Sequence, residues 1–370
     1  MTDAPPPILP PTRPPTPPPA KGDELLRQVA LGSVVVVATL LVLIGLSAVV
    51  LRAAPAPSPG AGAPAVATTA TPIVASPSPV LSLVPSPSPS GDATSGAPTA
   101  SPSGPVADPV LVGAGDIANC TSPGDEATAR LLDGIEGTVF TAGDNAYDRG
   151  TLATFRECYE PSWGRHRERT RPAPGNHDWD DPDLAGYLAY FGDAAAPEGT
   201  SWYSYDLGTW HVVVLDSECE EVGGCDPDSE QGRWLAADLA ASEAACTVAI
   251  FHYPRFSSGE HGNIRAVAPL WDALHAAGTD VIVNGHDHDY ERFAPQDPDG
   301  REDRERGIRQ FVVGTGGTPL RAFADTKPNS ELRASITHGV LALTLREGGY
   351  SWRFHATEGQ FSDEGTATCH

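Results

Sequence analysis

The chain has 370 residues, 38 of them Gly and 37 Pro, and a formal net charge of −24. Pro crowds the region ahead of residue 109, which cannot bury a core, so length overstates the domain count and the remainder makes one sizeable α/β domain. Only four Lys/Arg and five Asp/Glu lie in residues 1–108; the acidic excess sits on the globular part, which argues against duplex nucleic acid as a partner and would repel a phosphate unless bound cations reversed the local field.

Residues 1–28 are Pro-rich and polar, with Arg13, Lys21 and Arg27. Val29 to Leu51 is 23 residues without a charge, enough at about 1.5 Å per residue to span about 30 Å of hydrocarbon. A transmembrane anchor is expected there. The basic residues ahead of it, against Arg52 alone close behind, put the N-terminus inside as a cytoplasmic tail. Residues 52–108 are rich in Ala, Pro, Ser, Thr and Gly and read as a disordered stalk, with a reach of at most on the order of 150–170 Å. The expected protein is single-pass in the cell membrane, its domain of residues 109–370 extracellular. The Ala-rich sequence after Arg52 leaves secretion after cleavage as the alternative.

All six cysteines follow the apolar segment, and no CxxC pair occurs. On the outer side of a membrane an even count favours disulfides over a zinc ribbon. Cys219 with Cys225, closing a short Gly-containing loop, is the first pairing expected. Cys120 with Cys158 would then tie two loops together and leave Cys246 for Cys369; free buried thiols are the alternative.

In the globular part, strands are expected at 110–114, 139–142, 170–173, 210–215, 247–251 and 281–284, and helices at 125–132, 151–158, 229–240 and 266–277, with Ser229 as an N-cap. The last third changes character: 309–313, 339–346 and 350–355 read as strands without helices between them. That pattern predicts two sheets, one with crossover helices and one closed by antiparallel strands. Trp202, Trp210 and Trp234 are expected in the core, as is His211 within its strand. His166, His275, His338, His355 and His370 stand alone and are read as structural or exposed. Tyr290-Glu291-Arg292 is read as structure that braces a loop, with substrate contact as the alternative. Gly314-Thr315-Gly316-Gly317 suits either a tight turn or a close backbone approach to a ligand.

Five apolar runs each end in a short polar loop: Gly115-Asp116, Gly143-Asp144-Asn145-Ala146-Tyr147, Gly175-Asn176-His177-Asp178, His252, and Gly285-His286-Asp287-His288. Side chains on loops after strands are well placed to hold a ligand at the open end of an α/β sheet. Asp116, Asp144, Asn176, His252, His286 and His288 mix oxygen and imidazole donors. That is too much nitrogen for magnesium or calcium and too little sulfur for structural zinc. It suits iron, manganese or zinc, and so many donors suit two ions sharing a carboxylate.

In order and spacing these blocks, spanning about Val110 to Arg292, resemble calcineurin-like metallophosphoesterases. The Asp-x-His usual in the first block is here Asp116-Ile117-Ala118. Tyr147, three residues after Asp144, resembles the tyrosinate of the purple acid phosphatase branch. The resemblance implies a four-layer α/β/β/α sandwich with two mixed sheets. It implies one ion, expected as Fe(III), on Asp116, Asp144, Tyr147 and His288. A second, Fe(II), Zn or Mn, would lie on Asp144, Asn176, His252 and His286, with Asp144 bridging. His177 and His261 are the expected substrate-facing or proton-donating groups, with Asp178 orienting His177. A second His, which often follows the position of His261 in that family, is here Gly262. The implied activity is phosphate-monoester hydrolysis by metal-activated hydroxide on a small substrate. A phosphodiesterase and a non-catalytic cell-surface binding module are the alternatives.

Overall fold

The computed structural model of the protein describes residues 107–370. The expected tail (1–28) and anchor (29–51), and all of the stalk but its last two residues, lie outside the described residues. Among the described residues no helix is long and apolar enough to cross a membrane.

Two sheets face each other. The first holds β1 (Val110–Ala114), β2 (Thr138–Ala142), β3 (Thr170–Ala173), β11 (Gly339–Arg346), β12 (Gly349–Ala356) and β13 (Asp363–Thr368), in the order β13-β12-β11-β1-β2-β3. The second holds β4 (Tyr203–Leu207), β5 (Trp210–Val214), β6 (Cys246–Ile250), β7 (Val281–Asn284), β8 (Tyr290–Phe293), β9 (Arg309–Val313) and β10 (Ser330–Ala334), in the order β10-β8-β9-β7-β6-β5-β4. The main helices are α1 (Gly124–Asp133), α2 (Ala185–Phe191), α3 (Glu230–Ala241) and α4 (Ala268–Ala276).

Strand residues alternate between two cores, as period two requires. Val212, Val214, Val248, Ile250, Val281 and Val283 share a core cluster with Leu111, Leu341 and Leu343 of the first sheet. Val213, Ala249, Ile282 and Val312 pack instead with Leu235 of α3 and with Leu270, Trp271 and Leu274 of α4. Covered on both faces, these strands read in sequence as unbroken apolar runs. Each fully buried Leu or Val there contributes about 1.5–3 kcal/mol. Ser229 caps α3 as expected, accepting from the Gly232 N–H at 3.0 Å. Trp202 and Trp210 are buried; Trp234, expected in the core, is only half-buried at its edge.

The two mixed sheets that the resemblance implied are present, and antiparallel strands close both of them. Each sheet is mixed: β1, β2 and β3 run parallel and β11 joins β1 antiparallel, while β5, β6, β7 and β9 run parallel with β4 and β8 antiparallel beside them. The C-terminal hairpin returns to β1, pairing Val110 with Thr344, rather than extending the second sheet. Local pattern carries no record of which distant edge a hairpin will join. Tyr290-Glu291-Arg292 lies in β8 and braces a loop as expected: Glu291 Oε2 accepts from Ser258 N–H at 2.7 Å, and Tyr290 Oη donates to Asp363 Oδ2 at 2.7 Å. The polar edge strands β4, β10 and β13 and helix α2 lay outside the sequence reading.

The three disulfides are Cys120–Cys158, Cys219–Cys225 and Cys246–Cys369. The last joins β6 to the C-terminus across 123 residues of sequence. Closing so long a loop restricts the unfolded chain, so Cys246→Ala with Cys369→Ala is expected to cost about 3–5 kcal/mol in denaturant unfolding. An unchanged midpoint would show that the C-terminus adds nothing to the fold.

His211 is buried in β5 between two carboxylates, Asp238 Oδ2 at 2.8 Å and Asp206 Oδ1 at 3.1 Å. The bond to Asp238 raises its pKa against the opposing effect of burial, and Asp206 adds to the rise. The folded state therefore favours the imidazolium. Its contribution is complete below the ordinary histidine value of about 6.5 and is lost as pH rises through the higher folded value. The melting-temperature gap between wild type and His211→Gln is expected to be widest near pH 5–6 and to narrow above about pH 7; a gap constant up to about pH 9 would contradict this.

Candidate metal centre

The five polar loops leave the carboxyl ends of parallel strands: β1, β2 and β3 in the first sheet, β6 and β7 in the second. Beyond β1 and β2 the two loops stay zipped together. Asp116 N–H donates to Gly143 O at 3.0 Å, Ile117 N–H to Asp144 O at 3.0 Å, and Tyr147 N–H to Ala118 O at 2.8 Å. Asp116 and Asp144 are thereby held side by side. Gly115 N–H donates to Val313 O at 2.9 Å across to the second sheet, and within that sheet Gly285 N–H donates to His252 O at 3.0 Å. Asp116, Asp144 and His286 all adopt left-handed backbone, with φ of 59°, 52° and 73°. Such strain costs of order 1–3 kcal/mol per residue and gathers where function demands it. Two glycines have no room for a side chain: a Cβ on Gly143 would meet the His252 ring at 2.5 Å, and one on Gly285 would meet Asp116 Oδ2 at 2.6 Å.

All seven expected ligands converge. Tyr147 Oη lies 2.8 Å from Asp116 Oδ1 and 2.7 Å from Asp144 Oδ2, with His288 Nε2 at 3.4 Å. On the other side His252 Nε2 lies 3.4 Å from Asp144 Oδ1 and 3.1 Å from Asn176 Oδ1. The His286 ring is 5.1 Å from that of His252, and the His286 N–H donates to Asp116 Oδ2 at 2.7 Å. The two oxygens of Asp144 thus face different halves of the cluster. Asp116, Asp144 and His252 offer donor atoms within 4.8 Å of one another.

The donor chemistry fits cations. His252 Nδ1 donates to Ala142 O at 2.8 Å and His288 Nδ1 to Pro319 O at 3.0 Å. Carbonyls only accept, so both rings carry Nδ1–H and turn Nε2 to the cluster, as metal-binding imidazoles do. Both aspartates are buried. For each, burial alone would raise the pKa; His252 outweighs it at Asp144 and His288 at Asp116, and both carboxyls are held below the usual range. Burial and the two carboxylates push the Tyr147 phenol well above its ordinary value. Burial opposes charge on His252 as well, yet Asp144 lifts it to about 10. Protons on Tyr147 and His252 thus hold together a buried anionic cluster, at the atoms where cations would bond.

His177 and His261 lie at the rim. The His177 ring packs on Tyr147 with centroids 4.4 Å apart, and its Nδ1 donates to Asp148 O at 2.6 Å. Asp178 does not orient it, contrary to expectation. The buried Asp178 carboxylate accepts from Gly175 N–H at 2.9 Å and Asn145 Nδ2 at 2.9 Å instead, pinning the β3 loop to the β2 loop. The reason is geometric: residues 176–179 form one helical turn, which points neighbouring side chains apart. Burial, with the charge of Asp144 second, pushes Asp178 up to about 7. His261 packs against His286, centroids 4.3 Å apart, and meets Arg321 Nη1 at 2.8 Å. Sequence reasoning passed over Arg321, which belongs to no motif and reaches the site only through folding. Gly314 approaches as one alternative expected: its Cβ would lie 2.8 Å from Asp116 Oδ2.

The calcineurin-like phosphoesterase family model matches residues 110–290, the stretch that carries every expected ligand. The chain carries a calcineurin-like phosphoesterase domain. Within it the likeness is to purple acid phosphatases. Purple acid phosphatase 21 of Arabidopsis thaliana is 29% identical over 271 residues, which cover 64% of this chain and 58% of that protein. Among solved structures, the purple acid phosphatase PPD1 of yellow lupin (Lupinus luteus) aligns with a TM-score of 0.54 at 19% identity, over 70% of this chain and 53% of that one. GAP50 of Plasmodium aligns with a TM-score of 0.56 at 14% identity, over 72% and 90%. These two show that the phosphoesterase shares their four-layer fold. The chain spans less than two thirds of the Arabidopsis relative.

Proposed function

We propose that the protein is an extracytoplasmic phosphatase that hydrolyses phosphate monoesters on two metal ions. The observation that carries the reading is Asp144, whose Oδ2 faces Tyr147 and Asp116 while its Oδ1 faces His252. Asp116, Asp144, Tyr147 and His288 would hold one ion, Fe(III) being suited to the phenolate. Asp144, Asn176, His252 and His286 would hold the other, Fe(II), Zn or Mn. When bound, the ions supply charge to the phosphoryl oxygens and an activated water as nucleophile.

The chain's own residues do the rest. Asn145 and Asp178 lock the β2 and β3 loops so that Asp144 and Asn176 keep their positions. His177 donates Nδ1–H to Asp148 O, which leaves Nε2 unspent for a substrate contact. His261, stacked on His286 at the rim, is the second candidate to protonate the leaving oxygen. The three disulfides suit an oxidising compartment, and with the apolar segment 29–51 they support a tethered domain outside the cell.

The test compares p-nitrophenyl phosphate with bis(p-nitrophenyl) phosphate on the metal-loaded protein. The monoester is expected to be preferred by at least about tenfold, since a dianion gains more from a cationic centre. Diester preference would move the protein to phosphodiesterase chemistry. No turnover with two metals bound would favour a binding module.

A further inference from the structure

The loop after β9 carries Arg321, a cationic side chain that contacts a rim histidine. Its backbone N–H donates to His288 O at 3.0 Å, and Pro319 O accepts from His288 Nδ1 at 3.0 Å. The loop is thus strapped to a residue of the metal centre and cannot drift from it. The guanidinium Nη1 lies 2.8 Å from His261 Nε2, and the His261 ring packs on His286. Arg321 is therefore held at the rim, against His261 and next to His286.

Arg can only donate, so His261 Nε2 is the acceptor and cannot give a proton while the contact lasts. Among the described residues, the only carboxylate paired with Arg321 is Glu260, at 3.5 Å and 61% exposed. Such a surface pair is weak. The guanidinium is thus held by an uncharged nitrogen lone pair with donors to spare, in a domain where acidic residues outnumber basic ones about two to one. An arginine fork placed this way matches the oxygens of a phosphate.

We infer that Arg321 and His261 form an anion subsite that binds a second charged group on the leaving side of the substrate, so that the preferred substrates are diphosphates rather than esters of neutral alcohols. The inference rests on the phosphoric-ester reading of the metal centre. A diphosphate would place its terminal phosphoryl on the centre and its inner phosphate against the guanidinium. Drawing Arg321 onto that anion breaks its contact with His261 Nε2, and a proton given from that nitrogen to the leaving oxygen would first be taken up from water. Arg321 is then a specificity-determining residue.

The test titrates metal-loaded full-length protein calorimetrically with imidodiphosphate, whose nitrogen bridge resists cleavage, and with inorganic phosphate. Arg321→Gln is expected to weaken imidodiphosphate about 10- to 100-fold, as loss of charge-assisted hydrogen bonds does, and phosphate by less than about threefold. Arg321→Lys, which keeps the charge without the fork, is expected to fall between. Equal weakening of both ligands overturns the proposal, because Arg321 would then serve the transferred phosphoryl. No weakening of either overturns it too, leaving Arg321 as a surface partner of Glu260. An α,β-methylene nucleoside diphosphate in a parallel arm separates two sources of the same chemistry; tighter binding than imidodiphosphate identifies a nucleotide, weaker binding a free diphosphate, and loss of either in Arg321→Gln supports the subsite. Wild-type turnover of p-nitrophenyl phosphate is read separately. Its failure would count against the phosphatase reading, while the two affinities still report on Arg321.

Discussion

Asp144→Asn is expected to reduce bound metal from two ions per chain to fewer than one and to lower phosphate-ester turnover by about a thousandfold or more. The magnitude follows from losing several kcal/mol of charge stabilisation at about 1.4 kcal/mol per tenfold in rate. The substitution keeps shape and size but removes the one anionic group that faces both halves of the cluster. It should also abolish the rise in melting temperature that metal gives the wild type, because that rise measures binding to the folded state alone. Metal analysis, steady-state kinetics and melting with and without metal read the three effects. Two ions per chain and near-normal turnover in the variant would remove Asp144 as the bridge.

The second large effect is spectroscopic. Metal-free protein is expected to be colourless, because tyrosine absorbs no visible light without a metal, and burial and two carboxylates push the Tyr147 phenol well above its ordinary value. Bound Fe(III) would displace that proton and form a phenolate bond, giving a charge-transfer band in the visible. Tyr147→Phe is expected to abolish the band while leaving Asn176, His252 and His286 able to hold the other ion. Turnover should fall less than in Asp144→Asn, since both shared oxygens remain. A band that survives in Tyr147→Phe would assign the colour to another group. A colourless wild type carrying two metals would keep the metal centre but place a metal other than Fe(III) beside Tyr147.

The two outcomes bear on different links in the argument. Asp144 tests whether the loops of β1, β2 and β6 make one centre. Tyr147 tests what that centre binds. Asp178 belongs to neither, although it is as deeply buried as Asp144. Its oxygens are spent on Gly175 and Asn145, so its work is to hold the two loops in register.

Much of this architecture could be read along the chain. Strands β1, β3, β7, β9 and β11 match the expected spans, and in β1, β7 and β11 burial on both faces makes short apolar runs. The five polar loops were legible because each follows such a run and carries donor residues at its end. The cysteine pairings were also expected, the first from the shortness of its loop. What escaped were elements half open to water, such as β4, β10 and β13, where polar residues interrupt the signal. The placement of the C-terminal hairpin escaped as well, since it depends on an edge of β1 more than 200 residues away in sequence.

By itself, then, the amino-acid sequence determined which residues could serve as donors and that they would lie at strand ends, since both follow from local chemistry and local periodicity. Only the tertiary structure decided how they are used. Two sheets had to meet before Asp144 could face Tyr147 with one oxygen and His252 with the other. One helical turn had to form before Asp178 was directed to Asn145 rather than His177. And the strap from His288 to Pro319 had to close before Arg321, sixty residues beyond His261, came within 2.8 Å of it. These are contacts between side chains far apart in sequence, fixed by packing and long-range hydrogen bonds, for which local sequence holds no signal.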